Sequence, residues 1–442
     1  MVLSDVKIEI IGGGLAGCEA AWQAARRGVR VSLYDMKPER FSPAHESPLL
    51  AELVCSNSLR ARDTANAVGL LKEEMLRLDS LVITAALATQ VPAGRALAVD
   101  RTAFASHITK ALAAHPLIEI IRKEIKELPV ATTEPVILAT GPLTSETMAA
   151  SLAAFTGEAG LSFYDAIAPI VAGDSLDYAI IYQKSRYDDG PGDYLNCPLT
   201  KDEYYNFINE LRGGQYVPLR DFEEAKYFEG CLPIEVLCAR GDNTLRFGPM
   251  KPVGLAGPKT GREPYAVVQL RREDQDGGSY NLVGFQTKLT YGEQQRIFRL
   301  IPGLAKAEFL RLGSIHRNTF ICAPKILLPS LQTKHRPSLF IAGQLAGVEG
   351  YVESAAMGLL AGINAARLAQ SLTPVTPPPE TALGALIRHL TESDPAHFQP
   401  SNVTFGLFPP WEDGKMGKKL RGQRRAERAL VKLEEWREVT GV

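Results

Sequence analysis

The glycines of Gly12-Gly13-Gly14-Leu15-Ala16-Gly17, with the acid Asp35 further on, form the first constellation able to hold a charged ligand. In a G-x-G-x-x-G run the first glycine permits a tight turn, the second lets the backbone approach a pyrophosphate, and the third lets a helix pack closely on a strand. The helix that follows points its first amides and the positive end of its dipole at phosphate oxygens. Asp35 supplies a carboxylate for a ribose hydroxyl. Sulfur offers a second chemistry. Cys18, Cys55, Cys197, Cys231, Cys238 and Cys322 are scattered without a CxxC pair or a zinc-ligand spacing, so they read as thiols of a reducing compartment. A cysteine is a nucleophile only as thiolate, which requires a neighbouring cation or helix N-terminus to lower its pKa from about 8.5.

These residues need elements to position them. Val6 to Ile11 reads as a short apolar strand, Ala16 to Arg27 as an alanine-rich helix closing at Gly28, and Val29 to Tyr34 as a second strand. A glycine turn between strand and helix, with an acid ending the next strand, separates a dinucleotide fingerprint from a chance match. Val136 to Ala139 runs into Thr140 and Gly141. Leu339 to Ala342 runs into Gly343 and Gln344, followed by Gly347, Glu349, Gly350 and a helix from about Ser354. Both look like parallel strands ending at the crevice where open α/β sheets bind ligands. This late return of a nucleotide segment favours FAD over NAD, with Gly141, Gly343, Gln344 and Gly350 at the flavin end.

The expected fold class is therefore α/β: a Rossmann-like two-dinucleotide FAD-binding domain with an inserted α+β domain and a helical C-terminal segment. Residues 1–145 and 325–442 make the discontinuous FAD-binding domain, and 146–324 the insert. Within the insert, Ala266 to Arg271 and Tyr280 to Gln286, joined at Asp276-Gly277-Gly278, read as an antiparallel hairpin. Beyond Gly358 the chain reads as helical to about Leu372. Thr373 to Pro379 reads as a proline-rich linker, and helices follow.

Composition sets the outer limits. With 45% hydrophobic and 22% charged residues the chain is ordinary for a globular protein. A net charge of -1 argues against a uniformly basic coat while leaving local patches open. No run approaches the roughly 20 apolar residues of a membrane span, and a cytoplasmic location is expected. One patch departs from the balance. Lys415, Lys418, Lys419, Arg421, Arg424, Arg425 and Arg428 meet a single acid, Glu427. They read either as a solvated helix whose cations suit its C-terminal dipole or as a contact for a phosphate backbone.

Several segments taken together resemble one family. GGGLAGCEAAW, LVCSNSLR, ATGPLTS, FEGCLPIE, RFGPMKPVGL, HRNT and AGQLAGVEGYVESAAMGLLAG run in order along nearly the whole chain. They are similar to the folate- and FAD-dependent tRNA uracil-5 methyltransferases, called TrmFO. GidA-type flavoproteins share the nucleotide fingerprint but are similar to longer chains. The resemblance implies that 5,10-methylenetetrahydrofolate supplies one carbon to carbon 5 of the T-loop uridine of tRNA. It also implies that FAD, reduced by NAD(P)H, supplies the reducing equivalents for 5-methyluridine.

Carbon 5 of uracil is a poor nucleophile until a thiolate adds to carbon 6. In the family-like context, Cys231, with Gly230 and Pro233 fixing a turn, is the nucleophile. Cys55 is its partner, as base at carbon 5 or as the group that handles the methylene. The two roles are exchangeable. The other four cysteines read as small buried side chains. His316 resembles a family histidine near the flavin, able to stack on the folate pterin. Arg317 and Asn318 orient folate or uracil, or else stabilise a turn. The uridine must leave its stack to react, which calls for basic residues along its approach: Arg246, Lys251, Arg271, Arg272 and the 415–428 cluster. Two other readings stay open, a thiol or NAD(P)H flavoreductase and a non-catalytic tRNA-binding flavoprotein. The first lacks a closely spaced cysteine pair.

Overall fold

The aliphatic run near the start of the chain becomes the middle of a parallel sheet. The computed structural model describes residues 6–131, 133–158, 161–186, 192–218, 232–411, 414 and 416–442. Strand β1 (Lys7–Ile11), helix α1 (Leu15–Arg26) and strand β2 (Arg30–Asp35) follow one another as the glycine spacing predicts. β1 is central in a five-stranded parallel sheet, ordered Leu339–Ile341, Val136–Leu138, β1, β2, Ile118–Arg122. Strands in such sheets are buried on both faces and read as continuous aliphatic runs, which is how Val136–Leu138 and Leu339–Ile341 were legible. Each stops one residue earlier than expected, just ahead of turns in which Gly141 (φ 72°) and Gly343 (φ 76°) take left-handed backbone.

The helix Tyr351–Ala369 packs along α1 over this sheet. The approach is so close that a Cβ on Gly358 would lie 2.1 Å from the Ala16 carbonyl oxygen, and one on Gly362 2.4 Å from that of Ala20. A helix-interior glycine costs roughly 0.5–1 kcal/mol relative to alanine; no larger residue fits these two positions. The helix begins before Ser354 because Gly350, at φ 107°, serves as its N-cap, and it ends short of Leu372, where Ser371 turns at φ 60°.

A six-stranded antiparallel sheet follows the order Tyr182–Gln183, Tyr194–Leu199, Ala266–Arg272, Ser279–Leu282, Ile170–Ala172, Phe309–Arg311. The expected hairpin is present, with Leu270 opposite Leu282. Its second strand stops at Leu282 rather than Gln286 because Gly284 turns at φ 77° against Pro249. Helices also occur where only strands and turns were expected. The clearest is Lys201–Gly213, opened by a capping box between Thr200 and Glu203. Buried apolar side chains gather mainly into two groups, one drawn from Ile8 to Leu152 and Phe320 to Trp436, the other from Val171 to Ala307.

Thr373 to Pro379 has no regular structure, yet it is tied down. The Asn364 side chain donates to the Val375 carbonyl at 2.9 Å and accepts from its amide at 2.8 Å. Helices Ala382–Glu392 and Lys418–Thr440 follow. The described cations of the basic cluster occupy the first half of the last helix, so the expectation that they complement a C-terminal dipole is reversed. Among the described residues, no helix is long and apolar enough to cross a membrane.

Candidate active site

The carboxyl ends of β1, β2, Val136–Leu138 and Leu339–Ile341 open on a cleft with about 1140 Å³ of empty space, part of it continuous with solvent. Gly12, Gly13, Gly14, Leu15, Ala16, Asp35, Gly141, Gly343 and Gln344 all stand in its wall. Gly12 sits at φ 114°, and a Cβ there would meet the Ala139 carbonyl oxygen at 2.3 Å. Gly17 lies behind the wall, where a Cβ would come within 1.8 Å of the Gly12 oxygen. Gly14 faces open space, with nothing within 4 Å of its Cβ position. It heads α1 without a side-chain cap, so the first helix amides are left for an anion.

Asp35 is nearly buried. Its Oδ1 accepts from the Lys37 amide at 2.9 Å. Its Oδ2 has no hydrogen-bond partner, the nearest cation being Arg122 at 3.7 Å. A Cβ on Gly13 would stand 2.3 Å from that oxygen, so glycine keeps the space before it clear. Burial pushes this carboxyl above the usual range, partly offset by the Lys37 amide. An unpaired buried oxygen is costly unless a ligand satisfies it. The adenosine ribose of FAD carries the hydroxyl donor this oxygen lacks. Gly350, by contrast, is outside the wall, and a Cβ there would strike the Glu353 carboxylate at 2.4 Å.

Cys55 is half-buried at the edge of this cleft, one residue after Val54, which lines it. Its amide donates to the Tyr351 hydroxyl at 2.7 Å, and the Ser56 amide donates to the same oxygen at 3.2 Å. Tyr351 also lines the cleft. Arg101 donates to the Cys55 carbonyl at 3.1 Å and to that of Leu53, and it forms an ion pair with Glu273. Arg271 donates to Ser56 Oγ and Asn57 Oδ1, both at 2.7 Å. The thiol itself approaches the Ala166 carbonyl at 3.6 Å. Arg101 and Tyr351 were missed by sequence reasoning. Tyr351 had a signal, standing beside Gly350 at a helix start; Arg101 had none. Arg271, expected on the RNA approach, is instead buried in this bracket.

His316, Arg317 and Asn318 lie on the strand Ile315–Phe320, paired with Leu161–Ala166 so that His316 faces Asp165. They are near the cleft but not in its wall. The strand is attached to the rim at two places: the Thr319 amide donates to the Pro142 carbonyl at 2.8 Å, and the Ile321 amide to that of Leu345 at 2.9 Å. His316 Nε2 is 2.8 Å from Ser314 Oγ. Burial and then Arg311 lower its pKa. His45, in the cleft wall, is pulled down to about 4 by burial, then Lys37, Arg311 and His316, so both rings are neutral near pH 7. Asn318 is buried and Arg317 exposed. Gln344 donates to Glu349 at 2.6 Å, and burial, then Asp165, raises the Glu349 carboxyl well above its usual range.

Cys231 and Gly230 lie outside the described residues. Cys18, Cys197, Cys238 and Cys322 are buried. Arg246 stacks over the Tyr265 ring at 3.8 Å while donating to the Tyr265 carbonyl.

The family described as "Glucose inhibited division protein A" matches residues 7–373. A Desulfotalea psychrophila protein named methylenetetrahydrofolate--tRNA-(uracil-5-)-methyltransferase TrmFO is 63% identical over 432 residues, covering 98% of this chain and 97% of that protein. The chain belongs to the TrmFO family. A TrmFO of Geobacter sulfurreducens is 59% identical, covering 97% of this chain and 98% of its own length. Among solved structures, Aquifex aeolicus GidA matches the whole chain and 75% of its own, with a TM-score of 0.70 at 17% identity. That likeness establishes the fold.

Proposed function

We propose that the protein transfers the one-carbon unit of 5,10-methylenetetrahydrofolate to carbon 5 of the T-loop uridine of tRNA, forming 5-methyluridine. FAD, reduced by NAD(P)H, supplies the reducing equivalents when bound. The reading is supported by the names of close, full-length relatives, and the observation that carries it is a cysteine whose main chain is braced beside a dinucleotide cleft. Gly12, Gly13, Gly14, Leu15, Ala16 and Gly17 form the pyrophosphate turn, and Asp35 takes the ribose. Gly141, Gly343 and Gln344 line the flavin end, and Gly350 acts behind the wall by starting the helix that carries Tyr351.

The protein's own chemistry is then sulfur chemistry. One thiolate of the pair Cys231 and Cys55 adds to carbon 6 of uracil, which makes carbon 5 nucleophilic. Once the new carbon bond has formed, the other removes the carbon 5 proton, the bond from the transferred carbon to its folate nitrogen breaks, and the reducing equivalents complete the methyl group as the first thiol leaves carbon 6 and restores the ring. His316, with Arg317 and Asn318, positions folate and uracil from the strand attached to the rim. The neutral His316 ring suits stacking on a pterin. The chain divides into a FAD-binding domain, 1–145 and 325–442, and an insert, 146–324, a division supported by the two groups of buried side chains. The enzyme acts in the cytoplasm, where its substrates are.

Flavin-loaded protein incubated with unmodified tRNA, NADPH and methylenetetrahydrofolate should yield 5-methyluridine. Intact flavin reduction with no methylated base would overturn the reading.

A further inference from the structure

The first half of the last helix, Lys418–Thr440, concentrates cations where local physics disfavours them. It has no acid in its first turn, and its N-cap, Gly417, offers no side-chain acceptor. Positive charge at a helix N-terminus opposes the macrodipole. Arg421 and Arg425, and likewise Arg424 and Arg428, stand four residues apart as like-charged neighbours, an unfavourable spacing. Arg425 has been drawn inward, donating to the Phe405 carbonyl at 2.7 Å and to that of Pro409 at 3.3 Å. Lys419, Arg421, Arg424 and Arg428 stay exposed.

Acidic neighbours relieve this only in part. Arg424 meets Glu427 at 3.1 Å, and Arg428 meets Glu380 at 3.4 Å; exposed pairs of this kind contribute little. No acid pairs with Lys419 or Arg421 among the described residues. An anion bound outside the helix would offset these unfavourable terms with attraction to each cation.

The position of the helix says which anion. A Cβ on Gly422 would lie 2.4 Å from the Ala65 carbonyl oxygen, so the basic half rests directly on the turn after the strand Ser58–Ala61. That strand continues the Cys55 segment, and Arg62 is exposed on the same turn. Ala426, Ala429, Leu433 and Trp436 are buried inward, which leaves the outer face of this half dominated by charge rather than by the apolar stripe a membrane-bound helix needs.

We propose that Lys419, Arg421, Arg424 and Arg428 form a docking surface for the ribose-phosphate backbone of tRNA, holding the body of the molecule while its loop enters the cleft. The proposal rests on the tRNA reading above. Each phosphate contact releases counterions and adds about 0.7–0.9 to the slope of log affinity against log salt.

The test is the triple variant Lys419→Ala, Arg421→Ala, Arg424→Ala, compared with the unaltered protein for binding an unmodified tRNA transcript over a range of KCl. Flavin content and NADPH-driven flavin reduction should be unchanged, which reports a folded enzyme. The salt slope should fall by about 2–3, with at least a tenfold loss of affinity at low salt. An unchanged slope would overturn the surface. So would a variant that loses binding only to phosphatidylglycerol vesicles. If the unaltered protein makes no 5-methyluridine but the slope still falls in the variant, the surface stands and the catalytic reading fails. The reverse pair of results leaves the chemistry and removes the surface.

Discussion

The glycine cleft and the Cys55 segment adjoin one another and are held by opposite means. The cleft is built by leaving side chains out. At Gly12, Gly13 and Gly17 a single added carbon would come within 1.8–2.3 Å of another atom. The Cys55 segment is built by bringing side chains in, with Tyr351, Arg101 and Arg271 converging from separate elements on the backbone and side chains of residues 53 to 57. A wall of main chain fails at the first added atom. A bracket of side chains weakens by steps, because each support can be lost without moving the others.

The largest effect should come from breaking the wall. Gly12→Ala adds a Cβ in a left-handed conformation against a backbone oxygen, and strain with overpacking should cost about 3 kcal/mol or more. Purified protein should lose its visible flavin absorbance and unfold at a lower temperature. Full flavin content with an unchanged melting curve would show that the wall yields after all. Next in size is Cys55→Ser. It removes the thiol without touching the bracket, so flavin should be retained while methyl transfer falls by about a thousandfold or more. Substantial residual 5-methyluridine formation would take Cys55 out of the chemistry.

The same contrast explains what the sequence disclosed. Absence of side chains at fixed spacing is a local pattern, so Gly12, Gly14 and Gly17 announced the turn. The apolar runs beside Gly141 and Gly343 then placed the neighbouring strands. The bracket has no local pattern. Arg271 lies more than two hundred residues from Ser56, and only the pairing of Ala266–Arg272 within the antiparallel sheet brings its guanidinium to that serine. Gly358 and Gly362 were similarly silent, since a glycine within a helical run does not say which helix it admits. The basic residues of the last helix were visible, but their place in its first half depended on where the helix begins.

A smaller, graded effect should follow from removing one arm of the bracket. Arg271→Met leaves Ser56 Oγ and Asn57 Oδ1 without their donor in a buried setting, at a cost of about 2–3 kcal/mol. Urea unfolding should report that loss. Methyl transfer should fall further than flavin content does, and Arg271→Lys should recover part of both. Equal loss of flavin and methyl transfer would mean that cleft and bracket are one unit.

The smallest effect tests the bracket by pH. Lys72 Nζ is buried and donates to the Ala61 carbonyl at 2.7 Å and to that of Val68 at 3.2 Å, holding the strand that continues from Cys55. Burial, then the nearby Arg60, lowers its pKa from 10.5 to about 7, with Glu353 partly opposing. Between those two values the unfolded chain binds more protons at this site than the folded one, so its contribution to stability rises with pH. That contribution is complete above 10.5 and is lost as pH falls through 7. The limiting slope is about 1.4 kcal/mol per pH unit. From pH 7 to 9 the unaltered protein should therefore gain stability relative to Lys72→Met in urea unfolding, while flavin content, governed by main-chain contacts, stays level in both. Parallel stability curves would mean that the buried amine keeps its proton throughout, and that the strand after Cys55 is held without regard to pH.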